Sequence, residues 1–93
     1  MSQWMNRRAL QWAFEQEGLG VPAKVVLVTF AIHANERGYT WPSVGRIAST
    51  WGMDRETVRK QIERLLVRRK LFATKKRVGS TRQVKMYRLP EIT

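Results

Sequence analysis

Arg55, Arg59 and Lys60 stand in the first two turns of a helix-patterned stretch, Asp54 to Lys70, and Lys75, Lys76, Arg77 and Arg82 follow it. Groups of this kind do not break bonds. Ammonium and guanidinium ions donate hydrogen bonds and attract anions, and Arg does so through a rigid planar fork. Between Arg55 and Arg88 there are 13 basic side chains against Glu56 and Glu63, so this segment carries the whole formal net charge of +11. The preceding 54 residues hold five basic and four acidic groups and are nearly neutral. Such a surplus in one half of a chain points to nucleic acid before anything else, with an anionic membrane surface as the other class of attractor.

Other chemistry finds no footing. The chain has no Cys, which excludes disulfides, thiol nucleophiles and Cys-based zinc sites. Its single histidine, His33, reads as a helix-end residue. There is no Walker-type phosphate loop, and the seven acidic residues show no paired-carboxylate spacing. No enzyme is expected, and no metal or cofactor. The longest apolar stretch, Val25 to Ile32 with Thr29 inside it, is too short to span a bilayer. Gln11, Glu15 and Gln16 interrupt the apolar residues of the N-terminus, so no signal peptide is expected and the cytoplasm is the expected location.

The elements that must position the cations are legible from periodicity. Val58, Ile62, Leu65 and Leu66 recur at i, i+4, i+7 and i+8 and share one helix face. Asp54 is a good N-cap, able to accept the amide of Thr57 at the positive end of the helix dipole. Upstream, Ala48 permits two helices to approach closely and Gly52 can end the first in a left-handed turn. Two short helices with a tight glycine turn, the second opening on a cap and carrying arginines, read as a helix-turn-helix.

The rest of the chain builds around that unit. Residues 2–17 are patterned as a first helix, ended by Gly18-Leu19-Gly20. Pro22 suits the first turn of a second helix, Pro22 to about Ala34, apolar nearly all round and so expected in the centre of the core. Tyr39-Thr40-Trp41 is extended ahead of Pro42. Ser43 caps a third helix from about Val44 to Trp51. After Lys70, Leu71 to Thr74 reads as a strand that turns charged at Lys75 to Arg77. Residues 79–82 make a turn, and Val84 to Leu89 is the returning strand, stopped by Pro90. The expectation is one domain over residues 1–93: about four helices with two to three short strands, the helix-turn-helix at 43–70 and a β-hairpin wing at 71–89.

Several motifs make the chain resemble a known family. They are Trp12-Ala13, the run Ala23 to Leu27 followed by His33-Ala34-Asn35, Trp41-Pro42-Ser43, Gly52 through Arg59, and Tyr87-Arg88-Leu89. Together they look like the winged helix-turn-helix domains common in phage and plasmid replication proteins and in small mobile-element regulators. The resemblance covers nearly the whole chain and specifies the fold better than the biological role. It departs at Lys70, where the family usually has Gly; there either Lys70 takes a positive φ or the helix runs on.

The resemblance implies roles. The start of the helix from Asp54 would enter the major groove of double-stranded DNA. There Arg55 and Arg59 would read bases, because the Arg fork matches guanine O6 and N7. Glu56 sits among these readers, and Lys60 flanks the groove. Ser43 and Thr57 would bond phosphates near helix N-termini. Lys75, Lys76, Arg77 and Arg82 would lay the wing on the backbone or in the minor groove. The bland alternative is a solvated helix face on which Arg59 pairs with Glu63 at i,i+4. Arg64, Arg68 and Arg69 lie beyond the groove-entering turns and read equally as surface charge or distal phosphate contacts. Trp12 and Trp41 are expected in the core, Trp51 partly exposed, and Trp4 packed on the core or at a dimer contact. The expected function is sequence-specific duplex binding as a small transcriptional regulator. The alternatives are the origin-binding module of a replication initiator and, more distantly, a protein-interaction winged helix. A homodimer on inverted half-sites is the expected binding form.

Overall fold

The apolar run from Val25 to Ile32 lies in the helix that the other elements pack on. The computed structural model describes residues 6–79 and 84–90. Its elements are α1 (Arg7–Glu15), α2 (Val21–Ile32), β1 (Tyr39–Thr40), α3 (Val44–Trp51), α4 (Arg55–Val67), β2 (Phe72–Val78) and β3 (Val84–Arg88). The strands form one antiparallel sheet in the order β1-β3-β2. This is the mainly helical architecture with a small β wing that the sequence leads one to expect.

α2 buries Ala23 and every residue from Val26 to Ala31. It receives Ala9 and Ala13 of α1, Ile47 and Ala48 of α3, Val58, Ile62 and Leu65 of α4, and Tyr87 and Leu89 from the sheet side. The Tyr87 ring meets Phe30 edge-on at 5.3 Å between centroids, a favoured aromatic geometry. Burial pushes the Tyr87 phenol above its ordinary pKa, with Arg77 pulling the other way.

Both N-terminal helices are shorter than their patterns suggest. α1 opens on Asn6, whose side chain accepts the amide of Ala9, and closes at Glu15; Trp4 and Met5 lie outside the described residues. The Lys24 ammonium donates to the carbonyls of Phe14 and Gln16 and so takes up orphan acceptors of the last turn. α2 stops at Ile32 rather than Ala34, because Asn35 imposes a turn. The Asn35 carboxamide accepts the amides of Arg37 and Tyr39, and its own amide donates to Tyr39. That turn delivers β1, which is pinned to α2 by the buried Thr40 hydroxyl donating to the Phe30 carbonyl at 2.7 Å.

Two expectations need correction. Trp41 is 39% exposed rather than core: Thr40 takes the inward position on β1, so its neighbour turns out. Trp12 is partly buried against the core edge. The strain expected at Lys70 falls one residue earlier. Arg69 has φ of 58°, its amide donates to Leu66, and the Lys70 amide donates to Leu65. That is a Schellman closure with Arg69 in the position glycine favours.

An L-residue held left-handed costs about 1 kcal/mol. Arg69→Gly should therefore raise unfolding stability by roughly 0.5–1 kcal/mol, the added freedom of the unfolded chain offsetting part of the relief. Urea denaturation read by circular dichroism checks this, and a loss of stability would show that the Arg69 side chain contributes more than its backbone costs.

Candidate nucleic-acid interface

α3 and α4 are joined by Gly52 and Met53, with Gly52 at φ 67° and ψ 31°. The Met53 amide donates to the Ala48 carbonyl at 2.9 Å. A side chain at Gly52 would be strained in this conformation. Asp54 then caps α4, its carboxylate accepting the Thr57 amide at 2.7 Å. The Thr57 side chain first, and that amide second, hold the Asp54 carboxyl below its ordinary pKa, with Lys60 assisting. Ser43 does the same service for α3, its Oγ accepting the Arg46 amide at 3.1 Å. Its hydroxyl proton remains to be donated.

Arg55, the first residue of α4, reaches to the first turn of α3. A Cβ built on Gly45 would lie 2.9 Å from Arg55 Nη2 and 3.2 Å from its Cζ. The missing side chain at Gly45 thus makes room for the guanidinium on the first turn of α3. Arg59 and Lys60 are exposed on the next turn. Arg59 pairs with Glu56 at 3.9 Å and not with Glu63. At 56% and 69% exposure this pair contributes little and leaves Arg59 available.

The wing carries the second set of cations. Lys75, Lys76 and Arg77 are all exposed on β2, and Arg82 lies outside the described residues. The ladder pairs Ala73 with Tyr87 and then Arg77 with Lys85, so β2 is irregular between Ala73 and Arg77. Thr74 plugs that irregularity: its hydroxyl donates to the Met86 carbonyl at 2.6 Å and accepts the Lys76 amide at 3.1 Å. Like charges directly opposite each other on a ladder are destabilising, yet Arg77 faces Lys85. Lys76 does not point simply outward; its Nζ lies 5.8 Å from the Tyr39 ring centroid.

Three cations of the basic half have another task. Arg64 donates to the Leu19 carbonyl at 3.4 Å, Arg68 to Gly18 at 3.0 Å, and Lys70 to Gln16 Oε1 at 2.6 Å. They clasp the loop between α1 and α2, which neither expected reading of Arg64 and Arg68 included. The partners of Arg64 and Arg68 are backbone carbonyls, which leave no side-chain signature in the sequence, and Lys70 lies 54 residues from Gln16. The Thr74 plug was equally hidden, because an irregular ladder has no pattern in a seven-residue strand.

Among the described residues, no group of His, Cys, Asp and Glu could hold a metal ion, and no helix is long and apolar enough to cross a membrane. Two helices joined at Gly52, a capped and cation-bearing second helix and a basic hairpin define a winged helix-turn-helix. A family model described as helix-turn-helix domain matches residues 17–66, more than half of the chain. The chain belongs to that family, a DNA-binding class. Comparison with curated proteins and with solved structures finds no match.

The depressed pKa of Asp54 has a definite sign. A carboxyl with a folded pKa below its unfolded value stabilises the fold above the unfolded pKa and loses that contribution as pH falls through the folded one. Asp54→Asn keeps a cap without a titrating group. The melting temperature of the parent chain should therefore fall toward that of Asp54→Asn as pH drops below about 4. Parallel melting curves across that range would exclude the cap as a titrating element.

Proposed function

We propose that this chain binds double-stranded DNA in a sequence-specific manner as a small transcriptional regulator of a mobile element. Arg55 and Arg59 contact base edges, with Lys60 flanking them and Glu56 excluding wrong phosphate registers. Ser43 and Thr57 hold phosphates at the two helix N-termini. Lys75, Lys76, Arg77 and Arg82 lay the wing along the backbone. The observation that carries the reading is the Arg77–Lys85 opposition beside a capped helix bearing exposed Arg59 and Lys60. Charge placed at a cost to the fold is charge kept for a polyanion. The resemblance to replication proteins supports a second reading, an origin-binding module of an initiator. A genome-wide footprint separates the two, since one occupies promoters and the other an origin.

Duplex affinity should fall with salt at a slope equivalent to about 4–8 phosphate contacts per protomer. Arg55→Ala or Arg59→Ala should cost about 1–3 kcal/mol at the preferred site and flatten preference at particular base pairs. Lys75→Ala should weaken all sequences alike and lower the salt slope by about one. Glu56→Ala should tighten non-specific binding and erode selectivity. Equal losses on preferred and scrambled duplexes for both arginine variants would remove α4 as the reading element.

A single helix reads too few base pairs for selectivity in a genome. The binding form we propose is a two-fold dimer on inverted half-sites about one helical turn apart. α1 supports this role: Arg7 and Arg8 are exposed, and Phe14 is 60% exposed. Native mass measurement of the complex should give two protomers per duplex, and Phe14→Glu should reduce that to one. One protomer per duplex in the parent chain overturns the dimer.

A further inference from the structure

We propose that the outer face of the three-stranded sheet is a stacking platform for unpaired nucleotides, a second nucleic-acid site beside the duplex interface. Side chains alternate along strands. Thr40, Tyr87 and Leu89 are buried, and so is Leu71, just before β2. Their neighbours Tyr39, Arg88 and Phe72 must therefore face the other way, and all three are only partly buried. The register puts them in one row: Tyr39 of β1 opposite Arg88 of β3, and Arg88 opposite Phe72 of β2. Trp41, 39% exposed, follows Tyr39 by two residues. An antiparallel sheet with one solvated face ordinarily sets polar groups there; here it sets aromatic rings with a guanidinium between them.

The cations identify the occupant. Arg88 Cζ lies 5.8 Å from the Phe72 ring centroid, and Lys76 Nζ lies 5.8 Å from that of Tyr39. Both are near the outer limit, about 6 Å, of useful cation–π attraction. Each can leave its ring for a phosphate while a base takes the ring face or stacks on the guanidinium plane. Alternating rings and cations are what single-stranded nucleic acid requires of a surface. A duplex presents base edges in its grooves and hides the base faces, so paired DNA can offer this row phosphates but no base to stack on its rings. The occupant is an unpaired stretch, such as a strand released where a duplex opens.

The inference rests on the reading of the chain as a nucleic-acid binder, and the test separates the two. A labelled, short, mixed-sequence single strand and the duplex of the same sequence are titrated into the full chain by fluorescence anisotropy. The parent chain should bind both. Tyr39→Leu combined with Phe72→Leu keeps apolar bulk and removes both π-faces; it should weaken single-strand binding about tenfold or more and leave duplex binding within about twofold. Arg88→Lys keeps the charge and removes the plane, and it should weaken the single strand alone. It also serves if the leucine pair fails to fold by circular dichroism. A parent chain that binds duplex but not the single strand overturns this inference, as do variants that weaken both ligands equally or neither. A parent chain that binds the single strand but no duplex overturns the proposed function and leaves the platform standing.

Discussion

α2 can be satisfied only by being surrounded. Seven of its twelve residues are buried, and a helix apolar on nearly every side has no face to give to water. Each neighbour is tied to it by apolar packing, and α1, β1 and α3 also by a polar bond, the first of them from Lys24 to the Phe14 carbonyl. Thr40 holds β1 through the Phe30 carbonyl. Trp51 holds the end of α3, its indole donating to Thr29 Oγ1 at 2.6 Å while Thr29 donates to Val25. The half-exposed ring of Trp51 is thus a peg whose polar end is bonded to the buried Thr29. These last two ties lie at opposite ends of the segment that includes Ser43. The aim of the helix-turn-helix relative to the sheet therefore follows from the burial of α2.

The basic half divides by what each cation touches. Arg64, Arg68 and Lys70 are spent within the fold, on the α1–α2 loop. Arg88 and Lys76 lie over aromatic rings. Arg59, Lys60, Lys75 and Arg77 remain exposed at the α4 N-terminus and on the wing. Net charge alone overstates the interface, because three of the cations contribute to folding. It also understates the organisation, since the cations bonded to the α1–α2 loop lie toward and just beyond the C-terminal end of α4, while Arg55, Arg59 and Lys60 lie at its start. One helix serves both purposes by changing partners along its length.

The sequence was most informative where local rules acted alone. The caps at Ser43 and Asp54, the Gly52 turn and the span of α3 follow from neighbouring residues and appear as read. Periodicity found α2 and the α4 core face for the same reason. It overran at the ends of α1 and α2, where Lys24 and Asn35 terminate helices from outside the periodic pattern. Trp41 turns outward despite its hydrophobicity, because strand alternation gives the inward place to Thr40. The left-handed residue was displaced by one, because the closure that chose Arg69 depends on where α4 stops and not on residue type. Of the candidate site, the exposed cations at the start of α4 and on β2 were legible, but the resting place of Arg55 on Gly45 and the Thr74 plug were not. Both are contacts between segments with no periodic signature.

The two parts of the interface differ in how they are held. The start of α4 is fixed by its cap, by the left-handed turn before it and by Val58 and Ile62 in the core. Over its described residues the wing has a two-stranded ladder, one threonine plug and, toward the tip, a repulsive Arg77–Lys85 pair. A polyanion laid along the tip removes that repulsion, and any ligand that binds only the folded form stabilises it. On the proposed function, the stability of the wing and its affinity for phosphate would then be coupled. On the proposed function, a helix start fixed by the core beside a wing whose repulsion a polyanion relieves would let the chain engage any backbone first and test the bases afterwards. Placing the unopposed charge on the wing, and the capped arginines on the helix, is the arrangement such an order of events requires.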